Sequence, residues 1–117
     1  MAHDEVLAQS LRDALSGLLG ADLPGIAEKR MMGGVCFMLN GNMVCGADRS
    51  KQGERRYMFR VGKDNGAARA LPGGEPVVLG ARLMPGFFFL DAQQCGEALM
   101  KRWLAVALAH AAALPPK

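Results

Sequence analysis

Two cysteines in one short apolar segment are the residues best placed to carry out chemistry. Cys36 and Cys45 lie on either side of Asn40-Gly41, and Asn-Gly between apolar runs is typical of a β-hairpin with a type I′ turn. With those two residues in the turn, Cys36 lies directly opposite Cys45. Adjacent thiols could form a redox-linked disulfide or half of a metal site. Because the neighbouring side chains are apolar, we favour the alternative that both cysteines are small buried hydrophobic residues.

A larger metal or catalytic centre would need residues from distant parts of the chain. A closed zinc site would require Cys95, His3 and His110 to converge on the cysteine pair. His110 has no serine, cysteine or acid at a spacing that indicates a catalytic triad. The sequence therefore predicts no catalytic residue, no metal site and no cofactor.

The second candidate is a basic segment between residues 49 and 63. It contains six cations, interrupted and flanked by acidic residues: Arg49, Lys51, Arg55, Arg56, Arg60 and Lys63. One interpretation is a phosphate-binding loop in which Tyr57 and Phe59 stack on bases. The other is a solvated loop with local ion pairs and both aromatic rings in the core. Arg60 falls within a predicted strand, where it would pair with a buried carboxylate or bind an anionic partner.

Composition limits the classes of protein that these candidates can belong to. Half of the 117 residues are hydrophobic and 21% are charged, which excludes a disordered chain and fits one domain over residues 1–117. The start, MAHDEVLAQSLRDAL, resembles neither a signal peptide nor a membrane span. Three cysteines without a CxxC pair indicate free thiols. We expect a cytoplasmic protein without membrane contact, and its net charge of +3 gives only weak attraction to nucleic acid.

Two amphipathic helices are predicted at the ends of the chain. In the first, Leu7, Leu11, Leu15 and Leu18 recur at helical spacing, with Asp4 as the N-cap and Gly20 as the terminating residue. In the last, the apolar stripe consists of Leu99, Trp103, Val106 and His110, widened by Met100, Leu104 and Leu108, and Pro115-Pro116 ends the helix. Residues 21–30 are predicted to be a connector.

The residue pattern in the middle of the chain predicts β-strands. Apolar or aromatic runs occur in the hairpin at 35–47 and then at 57–61, 76–79 and 87–90, with a polar loop at 48–56 and one helical turn within 62–70. This order predicts an α+β domain with an antiparallel sheet of about four to six strands and both helices on one face. Both hairpin faces are apolar, so we expect helices on one and further protein, including a second subunit, on the other.

Three segments resemble the N-terminal domain of TfoX-type competence regulators. They are Arg30–Met43, with Gly33-Gly34 before the hairpin and Met32 where that family has Phe, then Met58–Gly62, which includes the arginine at position 60, and Arg82–Leu90. The closing helix around Trp103 also fits. The resemblance implies a two-layer α+β fold similar to secretion chaperones, often paired as a homodimer. Full-length competence regulators carry a second, C-terminal domain that these 117 residues do not include.

Two functions from different classes follow. The first is a non-enzymatic protein-interaction or regulatory module, a homodimer that binds an unidentified protein through a sheet face or an edge strand. The alternative is a nucleic-acid-associated accessory protein that contacts phosphates through residues 49–63. A small-molecule site or an enzyme would require a deep apolar pocket with a few polar groups.

Overall fold

The chain forms an open antiparallel sheet with two long helices. A computed structural model describes residues 4–20, 25–31 and 33–117. Within these residues the elements are α1 (Glu5–Leu19), β1 (Ile26–Met31), β2 (Gly34–Leu39), β3 (Asn42–Arg49), β4 (Arg55–Arg60), α2 (Gly66–Arg69), β5 (Glu75–Leu79), β6 (Arg82–Asp91) and α3 (Glu97–Ala113). The strand order is β1-β2-β3-β4-β6-β5. The predicted α+β class, strand number and pair of terminal helices are confirmed.

The two ends of α1 follow the predicted capping residues. The Asp4 side chain accepts a hydrogen bond from the Leu7 backbone N–H, which satisfies one of the donors left free at a helix start. Gly20 ends the helix with a φ of 99°, a backbone conformation that other residues rarely adopt.

The edge strand β1 lies where the sequence predicted a connector. Residues 26–31 pair with β2, while residues 21–24 of the predicted connector lie outside the described part of the chain. The prediction was wrong because β1 carries no period-two apolar pattern. Five of its six residues are exposed, so backbone pairing with β2 defines it. On the helix side, Arg12 of α1 donates two hydrogen bonds to Glu28, at 2.7 and 2.8 Å.

The predicted polar loop at 48–56 is much shorter in the structure. Strand β3 continues to Arg49 and β4 begins at Arg55, so only residues 50–54 connect them. The Ser50 hydroxyl accepts hydrogen bonds from the backbone N–H groups of Gln52 and Glu54. Polar residues at the ends of paired strands made the sequence resemble a loop.

The β2–β3 hairpin has the predicted turn and one irregularity. Asn40 and Gly41 have φ values of 50° and 86°, as a type I′ turn requires. Met38 pairs with Met43, but Phe37 pairs with Cys45, so Val44 is an extra residue. This β-bulge changes the side of the sheet to which the rest of β3 points.

The helix-covered face of the sheet holds the main core. The buried residues of α3 are Met100, Trp103, Leu104, Ala107 and Ala111. The Trp103 ring stacks on Phe59 at 6.2 Å between ring centroids, and its Nε1 donates to the Pro72 carbonyl at 3.0 Å. Of the predicted stripe, Leu99 and Val106 are only partly buried but pack against this core, and His110 is partly buried. Because α3 is apolar on nearly every side, its periodicity does not identify the inner face.

The β5–β6 hairpin also contains a break. Gly80, with a φ of 63°, opens a two-residue turn between Leu79 and Arg82. The register then shifts, since Val77 pairs with Met84 whereas Pro76 pairs with Phe88. At this shift Gly86 contacts Gly62 so closely that a Cβ atom on Gly86 would lie 2.7 Å from the Gly62 carbonyl carbon.

The face without helices carries a second, smaller apolar cluster. Its buried members are Cys36, Met43, Met58 and Val77, flanked by the partly buried Met38, Met84, Phe87 and Phe89. The bulges in β3 and β6 bend these strands, and a bent sheet encloses more of one face. The centre of this face is therefore shielded by the chain's own long side chains.

Candidate interaction surfaces

Two arginines of the basic segment bind the start of α1. Arg49 and Arg55 each place Nε 2.9 Å from Oδ2 of Asp4, whose side chain is only 3% exposed. Burial by itself would raise the pKa of the Asp4 carboxyl, but hydrogen bonds from Arg55, Leu7 and Arg49 lower it well below its usual range. These arginines stabilise the junction of α1 with β3 and β4.

A third arginine is held on the helix-free face. Arg56 donates from Nε and Nη2 to the two carboxylate oxygens of Asp48, at 3.0 and 2.9 Å. Its guanidinium carbon lies 4.0 Å from the centroid of the Phe89 ring. This combination of a bidentate ion pair and a cation–π contact fixes the side chain in place.

The other three predicted site residues make no described ion pair. Lys51 and Lys63 are exposed. Arg60 is partly buried, 5.8 Å from the Phe87 ring centroid. Tyr57 and Phe59 are buried in the main core, so neither can stack on a base. The structure thus separates the predicted basic stretch into three structural arginines and three cations with free charges.

The predicted pairing of Cys36 with Cys45 is wrong. The bulge at Val44 places Cys45 opposite Phe37, in the main core, whereas Cys36 pairs with Gly46 and belongs to the cluster on the other face. The two thiols therefore point to opposite sides of the sheet. Asn-Gly predicts the turn, but the sequence carries no clear signal for the extra residue that follows it.

The thiols are poor nucleophiles in this setting. Burial, with a smaller effect of the Asp48 carboxylate, raises the pKa of Cys36 to about 11. Burial also raises the pKa values of Cys45 and Cys95. In the described ranges no three His, Cys, Asp or Glu side chains come together as a metal site. His3, named in the zinc hypothesis, lies outside those ranges.

A cleft of about 470 Å³ lies between the 72–75 turn and the start of α3. Its polar side chains are Glu75, Asp91, Gln94 and Cys95. Towards the other end of α3, His110 packs against Gly62. Burial and the positive charge of Arg60 lower the pKa of His110. The Cys95 thiol and the His110 imidazole occupy different regions and do not form a nucleophile–base pair.

The sequence reasoning missed the most exposed apolar group of the sheet. Val78 and Leu83 are cross-strand partners near the tip of the β5–β6 hairpin, and their exposed fractions are 53% and 55%. Leu79 beside them is 39% exposed. A glycine between two short apolar runs was the available signal, because Gly at the first turn position is typical of a tight hairpin.

In the part of the chain that the structure describes, no helix is long and apolar enough to cross a membrane.

Comparisons with known proteins find no relative of this chain. No protein-family model matches the chain, and no curated protein or solved structure is found to be similar to it. The resemblance to the TfoX N-terminal domain stays a prediction.

Proposed function

We propose that this chain is a non-enzymatic protein-interaction module that acts as a cytoplasmic homodimer. The observation that carries the proposal is the exposed apolar pair Val78–Leu83 on one face of the β5–β6 hairpin, with Leu79 exposed on the opposite face. These are three of the six large hydrophobic side chains that are exposed in the described residues. Their grouping on one hairpin distinguishes them from apolar residues scattered singly over a surface.

A second copy of the chain is the simplest occupant of this surface. A two-fold axis beside the hairpin brings each Val78–Leu83 pair against the same pair of the partner, so one apolar patch covers another. Side chains must carry the contact, because Pro76 lacks the N–H group that a continuous strand ladder along β5 would need. Dimerisation at this edge leaves the helix-free face accessible to another protein.

The chemistry of the potential nucleophiles supports a non-enzymatic role. With the pKa of Cys36 near 11 and those of Cys45 and Cys95 also raised by burial, the thiols stay protonated at neutral pH. Cys95 and His110 lie in different regions of the structure, so His110 is not placed to take the Cys95 proton. The resemblance to the TfoX N-terminal domain agrees with an interaction or regulatory role.

The test is a comparison of two lysine substitutions by light scattering. Leu83→Lys places a charge in the proposed interface, whereas Val6→Lys places one on α1, where the native side chain is 67% exposed. At about 10 µM we expect the wild-type chain and Val6→Lys to be dimers and Leu83→Lys to be a monomer, since burying an unpaired ammonium costs several kcal/mol.

Two outcomes would contradict the proposal. One is a dimer that Leu83→Lys leaves intact, which would exclude the hairpin as the interface. The other is a monomeric wild-type chain whose mass increases only with added DNA and reverts at raised salt, which would favour the nucleic-acid alternative.

A further inference from the structure

Arg60 differs from the three arginines that precede it in the same part of the chain. Arg49 and Arg55 bind Asp4, and Arg56 binds Asp48. No carboxylate of the described residues lies within ion-pair distance of Arg60. Its side chain lies over the Phe87 ring, and its positive charge acts on His110. Arg60 is nevertheless partly buried. A partly buried arginine whose guanidinium has no counter-ion can bind an anion.

Arg60 has surroundings similar to those of Arg56, except that no carboxylate of the described residues binds it. Both side chains project from β4 to the helix-free face, and each lies over a phenylalanine of β6, at 4.0 Å for Arg56 and 5.8 Å for Arg60. Arg56 receives two carboxylate oxygens from Asp48. The corresponding carboxylate for Arg60 is absent from the described chain. The Arg56 site therefore indicates which group completes the Arg60 site.

We propose that Arg60 and Phe87 form a docking site on the helix-free face for an acidic segment of a partner protein, one carboxylate of which binds the Arg60 guanidinium. The proposal deepens the interaction role given above and does not depend on the dimer. Next to this site lie the partly buried side chains of Met84 and Phe89. Methionine, aromatic residues and arginine are the types enriched where proteins contact each other, so the acidic residue of the partner should be flanked by apolar ones.

The same face is poorly suited to nucleic acid. One face of the Phe89 ring is already covered by the Arg56 guanidinium at 4.0 Å, so that face cannot stack on a base. Asp48 places a carboxylate beside Arg56 and would repel phosphates. Strong binding to a nucleic-acid backbone requires several free cations in a row, whereas on this face β4 supplies Arg60 alone and the exposed Lys29 and Arg82 lie on other strands.

The experiment measures peptide binding to the full chain by nuclear magnetic resonance, following backbone signals and the Arg60 Nε–H signal. The probes are a short peptide of alternating Glu and Leu, its Gln-and-Leu counterpart and a short oligothymidine, each titrated to about 2 mM. The variants are Arg60→Gln and Arg102→Gln. Arg102 is exposed on α3, away from the helix-free face, so its substitution removes the same charge elsewhere.

We expect the Glu peptide to shift the signals of Arg60, Phe87 and their neighbours. Arg60→Gln should weaken its binding by about tenfold, the loss of one charge-assisted hydrogen bond, whereas Arg102→Gln should change it by less than about twofold. The Gln peptide should bind about as weakly as the Glu peptide binds Arg60→Gln. Backbone spectra of both variants should otherwise match the wild type, because Arg60 makes no ion pair whose loss would disturb the fold.

Three results would overturn the proposal. They are no shift at Arg60 with the Glu peptide at the highest concentration, equal binding by the wild type and Arg60→Gln, and stronger shifts at Arg60 with oligothymidine than with the Glu peptide. The last result would assign the site to nucleic acid. A dimer that fails to form would contradict the function proposed above without changing any of these signals.

Discussion

At the scale of single residues, Asp4 connects three parts of the chain. Its carboxylate caps α1 through the Leu7 N–H and accepts hydrogen bonds from Arg49 on β3 and Arg55 on β4. The residue type and position of Asp4 predict the cap. They do not identify the arginine partners, which lie 45 and 51 residues away along the chain. From the sequence alone, Arg49 and Arg55 could therefore be interpreted as phosphate-binding residues.

Replacing Asp4 by Asn should destabilise the fold by about 1–3 kcal/mol at neutral pH, because charge-assisted hydrogen bonds to two arginines are weakened. Asp64→Asn is the matched control. Asp64 pairs with Arg69 but is 89% exposed, so its loss should cost less than about 0.5 kcal/mol. Urea unfolding of both variants measures the difference. Equal effects of the two substitutions would contradict the structural role of Asp4.

The effect of Asp4 should also depend on pH in a defined direction. Its pKa is lower in the folded chain than its ordinary value, which is about 4 in an unfolded chain. The stabilisation is therefore complete above about pH 5 and is lost as the pH falls below about 4 toward the folded-state pKa. The difference in unfolding free energy between wild type and Asp4→Asn should shrink between about pH 5 and pH 2. A difference that stays constant over this range would contradict the assigned cause.

At the scale of elements, the sequence predicts the helices and turns that have a local residue pattern. It does not predict the features that depend on how strands pair with each other. Leucine spacing and capping residues predicted α1, and Asn40-Gly41 predicted the β2–β3 turn. Strand β1 is polar and exposed, so only its backbone pairing with β2 defines it. The bulge at Val44 likewise follows from how β2 and β3 pack, and it decides on which face Cys45 lies.

The same close pairing makes Gly34 irreplaceable at the start of β2. A Cβ atom there would overlap the carbonyl oxygen of Ala47 on β3, so Gly34→Ala should lower the unfolding free energy by about 1–3 kcal/mol or more. Gly17, exposed in the last turn of α1, has no atom within 4 Å of the corresponding Cβ position. Gly17→Ala should therefore stabilise the chain by about 0.5–1 kcal/mol.

Urea midpoints of these two glycine variants test the account of β2 and β3. Opposite shifts from the wild-type midpoint are expected, with unchanged slopes. A stabilising Gly34→Ala substitution would mean that β2 and β3 are farther apart than the described contact.

At the scale of the whole molecule, the two sheet faces have different roles. Both long helices cover one face, and their burial accounts for the main core. The other face shields a smaller cluster with its own side chains. The sequence predicted two apolar faces but not that the second would be largely closed within one chain, because side-chain alternation does not report how a sheet bends. Of the six large hydrophobic side chains that are exposed in the described residues, three lie on the β5–β6 hairpin.

The most direct test of the central claim is the solution mass of the wild-type chain over a dilution series from about 100 to about 1 µM, measured by light scattering. The account predicts a species of twice the 12.5 kDa chain mass at the upper end, unchanged by short duplex DNA. A mass of one chain at every concentration would contradict the homodimer, and the exposed hairpin would then require a different partner.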